Sequence, residues 1–450
     1  MMTKPTPAAP QIGRRAFLTT TTALASSSLV GGLSIARAAH AAGDDTIKLA
    51  LIGCGDRGAG AATQALRTSG PIKLWAMADL FAEQIDTKLE ILRTGEEAAY
   101  DRDSHQGFAS QIDVPPERRF VGFEAYRQAI DSGADVVILA TPPHFRASHF
   151  QYAVERGRHV FMEKPLAVDA PGVRQILATN EVAREKDLKV GVGFQFRHVP
   201  CVQQTVGRLR EGAIGTINLL RAYWNVGLLR STPPRSPDTP EMLYQLRNPY
   251  HFLWLNGDYF VDALIHYIDL CCWVKDAHPV TAQGQGGKQV LLPTQSGDTF
   301  DHHFVEYTFE DECRMYAQAR QIPACWNLGG AHAQGATGHA DIVQGRIAGA
   351  ARWRYDGPSV NPYQVEFDTF IADVRRGAAH NDVAFGAQST MTAIMGRMAS
   401  YSGQLVQWEE AFNSDLKLGP ERYAFDAPPP VTADAQGVYP VAVPGVTPAF

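Results

Sequence analysis

The sequence predicts an α/β protein: a doubly wound parallel sheet first, then an α+β domain built on a large, open, mostly antiparallel sheet. Three observations carry this expectation. The apolar run Ile47–Ile52 ends in Gly53-Cys54-Gly55-Asp56-Arg57-Gly58 and leads into an alanine-rich segment, the order of a strand, a tight turn and a helix start. From residue 44 to about 196, short apolar runs alternate with helical stretches, which implies βαβ units and right-handed crossovers. Beyond 196, long segments alternate apolar and polar residues with few helices between them. At 450 residues the chain is too long for one ordinary core, so two domains are expected, over 44–196 and 197–426.

The elements follow in order. After the strand at 47–52 comes a helix over 58–68, then a strand over 72–78 that ends at Asp79. A helix covers 81–93, and residues 94–117 are polar and loop-like. A short strand at 119–121 precedes a helix over 124–131. Asp135–Ala140 is apolar after its first residue, as a strand buried on both faces must be, and it leaves through Thr141-Pro142-Pro143-His144. Helices over 146–156 and 170–186 alternate with strands over 159–162 and 189–194. In the second domain, strands are predicted over 216–226, 280–287, 300–309 and 314–320. Helices are predicted there over 198–211, 262–274, 363–376 and 387–405. Residues 228–240, rich in Pro, Ser and Thr, read as a loop. The tail 427–450 has no periodicity and reads as an extended surface arm.

Composition excludes several classes. The net charge is −6 and no Lys/Arg run occurs past the N-terminal segment, so nucleic acid is not an expected partner. No apolar run past that segment is long enough to span a bilayer. The six cysteines form no C-x-x-C, so no structural zinc site is expected. Neighbours on a strand point to opposite faces, which argues against a metal at Asp301-His302-His303; no metal is expected.

The glycine turn carries the first chemistry. Gly53, Gly55, Asp56, Arg57 and Gly58 offer a tight approach and free N–H groups at a helix N-terminus, which is what a dinucleotide pyrophosphate needs. A turn in an unrelated α/β domain is the alternative. Asp79, about twenty residues on, stands where adenosine ribose hydroxyls are gripped. Its carboxylate would repel the 2′-phosphate of NADP, so NAD is expected over NADP. Arg57 argues the other way, because it could pair with that phosphate or simply with the pyrophosphate. Glu163-Lys164-Pro165 follows the fifth strand directly, where ligands of parallel sheets bind; it reads either as a lysine aimed at the cofactor or as a plain strand exit. Asp262 and His266, four apart, share one face of a predicted helix. They read either as a proton shuttle oriented by a carboxylate or as a capping or surface pair.

Residues 1–41 read as an address. Gly13-Arg14-Arg15-Ala16-Phe17-Leu18 is a twin-arginine signature, followed by a mildly apolar stretch and an Ala39-His40-Ala41 cleavage pattern. The expected partner is the twin-arginine export machinery, and the expected location is periplasmic or otherwise exported. Outside the cytoplasm no dependable pool of nicotinamide cofactor is expected. The cofactor should then be held through the cycle and the redox chemistry should close on itself.

Together these residues resemble the glucose–fructose oxidoreductase / inositol dehydrogenase / MocA family over nearly all of the chain past the leader. The fingerprints are Gly53-x-Gly55-x-x-Gly58, Thr141-Pro142 with His144, Glu163-Lys164-Pro165, and Asp262-x-x-x-His266 ahead of Asp269. The resemblance implies a Rossmann domain joined to a domain with a large open sheet, a bound NAD or NADP, and a sugar or polyol substrate between them. It implies that Lys164 and His266 lie near the nicotinamide and the reacting carbon, with Asp262 aiding His266. It adds Thr141, Pro142, His144 and Glu163 to the cofactor side. Gln195 and Arg197 resemble positions near the substrate pocket, and Asp301, His302 and Arg320 are expected to line it. Asn361-Pro362-Tyr363-Gln364-Val365-Glu366 and Tyr259–His266 are similar to an exported branch of the family. One related group is similar to NAD-dependent glycosidases such as α-N-acetylgalactosaminidase, which oxidise and re-reduce the sugar. The resemblance thus implies an exported oxidoreductase acting on a sugar or glycoside carbinol, and a homo-oligomer paired through its sheets. A redox-neutral glycoside hydrolase or lyase and a catalytically silent binding protein are the alternatives.

Overall fold

The computed structural model describes residues 45–95, 107–227, 235–236, 238–291 and 297–450, and Thr46–Phe450 form one compact unit. The leader expected over 1–41 lies outside the described residues, as do 96–106 of the loop expected over 94–117 and 228–234 and 237 of that expected over 228–240.

Six strands form a parallel sheet: β1 (Ile47–Ile52), β2 (Ile72–Asp79), β3 (Arg119–Val121), β4 (Val136–Leu139), β5 (His159–Met162) and β6 (Val190–Val192). Their order is β3-β2-β1-β4-β5-β6, linked through α1 (Asp56–Leu66), α2 (Ala82–Thr94), α3 (Ala125–Asp131), α4 (Arg146–Glu155) and α5 (Ala170–Glu185). Every residue of β4 is buried, which explains its unbroken apolar run. The order reverses between β1 and β4, and that reversal opens a crevice at the carboxyl ends of the strands.

After α6 (Pro200–Arg210) the chain builds a nine-stranded sheet. Its strands are β7 (Ile217–Val226), β8 (Thr281–Gly287), β9 (His302–Thr308), β10 (Arg314–Gln321), β11 (Leu328–Gly335), β12 (Gly338–Asp341), β13 (Arg346–Gly349), β14 (Trp353–Arg354) and β15 (Val406–Gln407). The order is β14-β13-β12-β11-β7-β10-β9-β8-β15, and only the β7–β10 pair is parallel. The remaining helices are α7 (Glu241–Arg247), α8 (Leu253–Asn256), α9 (Tyr259–Asp262), α10 (Ile265–Lys275), α11 (Pro362–Arg376), α12 (Val383–Ser402) and α13 (Trp408–Asn413). Alternation along the strands sets two faces: His303 and Tyr307 hydrogen-bond α12, whereas His302, Phe304, Tyr316 and Arg320 take the other face. Among the described residues, no helix is long and apolar enough to cross a membrane.

The fold departs from the expectations at three places. The helix expected over 262–274 is broken, because Tyr259 O accepts from both Ala263 N (2.7 Å) and Leu264 N (3.3 Å), which slips the ladder and separates α9 from α10. α11, expected with the second domain, packs Phe367, Phe370 and Ile371 into the core of the first sheet against Leu49, Leu51 and Phe161. The strands β11 to β14 were not expected. The tail has no helix or strand, and it is tacked down where Ala427 and Tyr439 are buried in an apolar cluster with Tyr244, Phe252 and Trp254.

Candidate active site

The crest of the crevice is the turn between β1 and α1, and its glycines answer three different demands. Gly53 has φ +92°, and a Cβ there would lie 2.5 Å from Thr141 N. A Cβ on Gly58 would fall 1.9 Å from Gly53 O, so α1 can sit against β1 only through glycine. A Cβ on Gly55 would meet nothing within 4 Å: this is open space beside the first N–H groups of α1. That combination fits a pyrophosphate approaching bare backbone. The side chain of Asp56 turns to Lys88 Nζ (2.6 Å), so Asp56 presents its backbone to the crevice.

Asp79 closes β2. Its Oδ2 accepts from Cys54 N (2.6 Å) and its Oδ1 from Phe81 N (3.0 Å), which fixes the carboxylate beside the turn. Burial raises its pKa against the opposing effect of those backbone donors. Arg57 lies with Nε 2.8 Å from Glu163 Oε1, donates to Gln64 Oε1 (2.8 Å) and stacks over Tyr363 (4.8 Å). Its guanidinium therefore braces the glycine turn against β5's exit.

The exits of β4 and β5 are tied by a residue not anticipated from the sequence. Arg146 is fully buried and donates to the carbonyls of Thr141 and Pro165; burial lowers its pKa to about 10. Thr141 Oγ1 lies 3.4 Å from His149 Nδ1. Pro142 leads into His144, whose Nε2 is 2.7 Å from Tyr423 OH and whose pKa burial lowers to about 4. Glu163 packs against Gly193, where a Cβ would come within 2.6 Å of Oε2.

Lys164 Nζ donates to Asp262 O (2.6 Å) and to Asp262 Oδ1 (3.1 Å). This corrects the pairing read from the i, i+4 spacing: the break between α9 and α10 leaves Asp262 bracing Lys164 rather than His266. His266 is buried, flanked edge-on by Phe194 (6.2 Å) and Phe196 (5.6 Å), and its Nδ1 has no hydrogen-bond partner among the described residues. Burial first, then the positive charges of Lys164 and Arg57, hold its pKa well below the usual histidine value. The imidazole is neutral, and a neutral imidazole beside an ammonium can accept a proton from a hydroxyl held between them.

The residues expected to line the substrate pocket divide. Gln195 is buried next to this region and donates to Tyr363 OH (3.2 Å). Arg197 instead forms a double hydrogen bond with Asp269 (2.8 Å to each oxygen), which also accepts from Ser389 on α12; it locks α10 to its neighbours and is not free for a substrate. Asp301 is fully buried and its Oδ2 accepts from the backbone N–H of Gln289, Val290 and Leu291, so it anchors a loop. His302, hydrogen-bonded to Asp301 (2.7 Å), and Arg320, which donates to Trp326 O, occupy the sheet face opposite α12.

Two further groups escaped the sequence reading. Asp258, at φ +80°, caps α9 through Phe260 N (2.8 Å) and accepts from Tyr401 OH (2.6 Å), with His303 Nε2 at 3.2 Å. This buried network sets where α9, and hence Asp262, stands. Glu366 on α11 is also buried; desolvation, with Glu163 nearby, pushes its carboxyl pKa well above the ordinary range. Asp258 carries no local signal of this role, and Glu366 closes the Asn361–Glu366 motif without a sign that it is buried.

Comparison with known proteins bears on the family and the fold. Residues 47–194 match the family described as "Oxidoreductase family, NAD-binding Rossmann fold". The inositol 2-dehydrogenase of Rhizobium meliloti is 26% identical over 179 residues, covering 39% of this chain and 47% of that protein. The chain thus spans about half the length of that curated relative. Among solved structures, scyllo-inositol dehydrogenase from Lactobacillus casei with bound NAD(H) and scyllo-inositol superposes with TM-score 0.58 at 18% identity, over 81% of this chain and 99% of that one. The aldose-aldose oxidoreductase of Caulobacter crescentus gives 0.59 at 16% identity, over 80% and 99%. At these identities the structural likeness establishes the fold.

Proposed function

The chain belongs to the glucose–fructose oxidoreductase / inositol dehydrogenase / MocA family, and on that premise we propose that it is an NAD-dependent oxidoreductase acting on a carbinol carbon of a sugar, polyol or glycoside. The observation that carries the reading is the meeting, in one crevice, of the Gly53–Gly58 turn, the Lys164–Asp262 pair and the neutral His266. Bound NAD would supply the hydride acceptor. His266 takes the hydroxyl proton as the carbinol becomes a carbonyl and returns it in reverse. Lys164, braced by Asp262, donates to the same oxygen and favours its anionic character. NAD over NADP is supported by the Asp79 carboxylate and by Arg57, which is engaged by Glu163, Gln64 and Tyr363.

The twin-arginine leader supports export of the folded, loaded protein, with the dinucleotide retained from turn to turn. The redox change then closes on itself, by hydride exchange between two substrates or by oxidising and re-reducing one glycoside. The half-buried face of the nine-stranded sheet opposite α12 supports pairing into a homo-oligomer. The test is to denature the purified protein and identify the released dinucleotide by mass and absorbance. Near-equimolar NAD is expected; no release, together with no binding of added NAD, overturns the proposal. Release of sugar from a chromogenic glycoside without added NAD separates the closed cycle from a net dehydrogenase.

A further inference from the structure

Past α13 the chain runs without regular structure, yet it is pinned along its path. Arg174 donates to Phe412 O (2.5 Å) and Ser414 O (2.8 Å), and Asp169 Oδ2 accepts from Leu418 N (3.1 Å). Gly419 lies against the His144 ring so closely that a Cβ would fall 2.0 Å from Cε1. Tyr423 OH then meets His144 Nε2 at 2.7 Å. Further on, Val431 O accepts from Gln245 Nε2 (2.6 Å) and Gly445 N donates to Ser402 O (2.7 Å).

This path carries Tyr423 and Phe425 across the exits of three parallel strands. Phe425 meets Phe81 after β2 (ring centroids 6.3 Å) and Phe123 after β3 (5.3 Å). Tyr423 meets Phe123 (6.2 Å) and Phe145 after β4 (5.6 Å). In the order β3-β2-β1-β4 these exits lie on both sides of the Gly53–Gly58 turn, with Phe81 and Phe123 on the side of Asp79 and Phe145 on the other. Asp79 Oδ1 accepts from Phe81 N, so the backbone that carries the first ring of the cluster is tied to the carboxylate that stands where ribose would bind. Although the segment is anchored on both sides, Tyr423 and Phe425 keep 44% and 39% of their surface exposed. Flat apolar faces held partly bare beside such a carboxylate suit a planar heteroaromatic base.

We infer that Tyr423 and Phe425 roof the adenosine end of the cofactor crevice, so that the adenine of a bound dinucleotide lies against them and the segment 414–425 slows its release. This rests on the reading of the chain as a dinucleotide-binding protein. It deepens that reading by giving the retained cofactor a physical cause in the chain's own C-terminal segment.

The test uses the whole protein loaded with adenine-labelled NAD and chased with excess unlabelled NAD. In Tyr423→Ala/Phe425→Ala, label should leave about tenfold faster, on the scale of one lost base–aromatic stack. Affinity for nicotinamide mononucleotide, which has no adenosine, should stay at the wild-type value. Wild-type release from a folded double variant overturns the roof while leaving NAD binding standing. Equal weakening of the mononucleotide overturns it too, since the effect would then be general. Failure of the wild type to bind NAD at all removes both the functional reading and the roof. If the double variant does not fold, Phe425→Leu keeps the apolar bulk and removes the flat ring: faster release supports the roof, and an unchanged rate overturns it.

Discussion

Acid should loosen this protein through His149, and the size of the effect follows from its surroundings. His149 is buried on α4, stacked on Tyr126 (ring centroids 4.0 Å, 23°) and beside Thr141 at the crevice. Burial, with the positive charges of Arg146, His144 and Arg127, lowers its pKa from 6.5 to about 3. The folded chain therefore keeps this imidazole neutral down to about pH 3, whereas the unfolded chain protonates it below 6.5. The unfolded state binds more protons in that window, so stability is complete above about pH 7 and falls as pH drops. At about 1.4 kcal/mol per unit, the loss from this one group between pH 7 and 5 is about 2 kcal/mol. Asp298 acts in the opposite sense: burial raises its pKa to about 6, so its penalty is relieved on acidification. The total acid loss therefore mixes signs, and a comparison isolates the histidine. Urea unfolding of wild type and His149→Gln at pH 7 and pH 5 should show a loss smaller by about 2 kcal/mol in the variant. Parallel losses in the two proteins would refute the reasoning, because His149 would then ionise in the folded state without penalty.

Gly58 and Gly55 should fail differently. Gly58→Ala drives a Cβ into Gly53 O and should cost about 1–3 kcal/mol of stability or more, whereas Gly55→Val should leave the melting temperature near wild type and abolish NAD binding, both read by thermal melts with and without NAD. His266→Ala should lower kcat by about 10²–10⁴-fold with NAD release unchanged. Because its folded pKa lies well below 6.5, the wild-type rate should carry no acid limb from this group between pH 6 and 8; a limb centred near 6.5 that vanishes in the variant contradicts the buried, neutral assignment. Lys164→Met should lower kcat by about 10²-fold or more at unchanged NAD release, and an unaltered steady-state rate removes Lys164 from the chemistry.

How far the fold was legible depended on where each residue's partners lie in the chain. β1, β4 and β5 are covered on both faces, and their near-continuous apolar runs announce them. β11, with Leu328-Gly329-Gly330-Ala331-His332, has no β-branched residue; it is a strand because β7 offers it a ladder, and nothing local says so. The tail showed no periodicity because it takes its order from scattered hydrogen bonds to distant residues rather than from a repeating face. The site divides in the same way. The glycine turn and Glu163-Lys164-Pro165 are local motifs at strand exits and were readable. Which carboxylate meets Lys164 was not, because Asp262 is 98 residues away and its direction depends on the slipped turn at Ala263–Leu264. Arg197 looked available for substrate only because Asp269, its partner across 72 residues, gave no sign of facing it.

The arrangement of charge in the crevice has a logic that no single residue shows. Lys164 and Arg57 are both positive and both depress the pKa of His266, yet each is tied to an acid, Lys164 to Asp262 and Arg57 to Glu163. The acids fix the cations in place without sitting on the imidazole. An oxygen placed between Lys164 and His266 therefore lies in a field that favours negative charge on the oxygen and opposes a lasting proton on the ring. A proton can move to His266 only as negative character develops beside it, and it moves back readily when that character is lost. Such a histidine is a poor place to store a proton and a good place to pass one in either direction. That is what a site must do if the same carbon is oxidised and then reduced within a single visit. The buried Asp258–His303–Tyr401 network, which holds the start of α9, then matters to the chemistry because it holds the acid that holds the lysine.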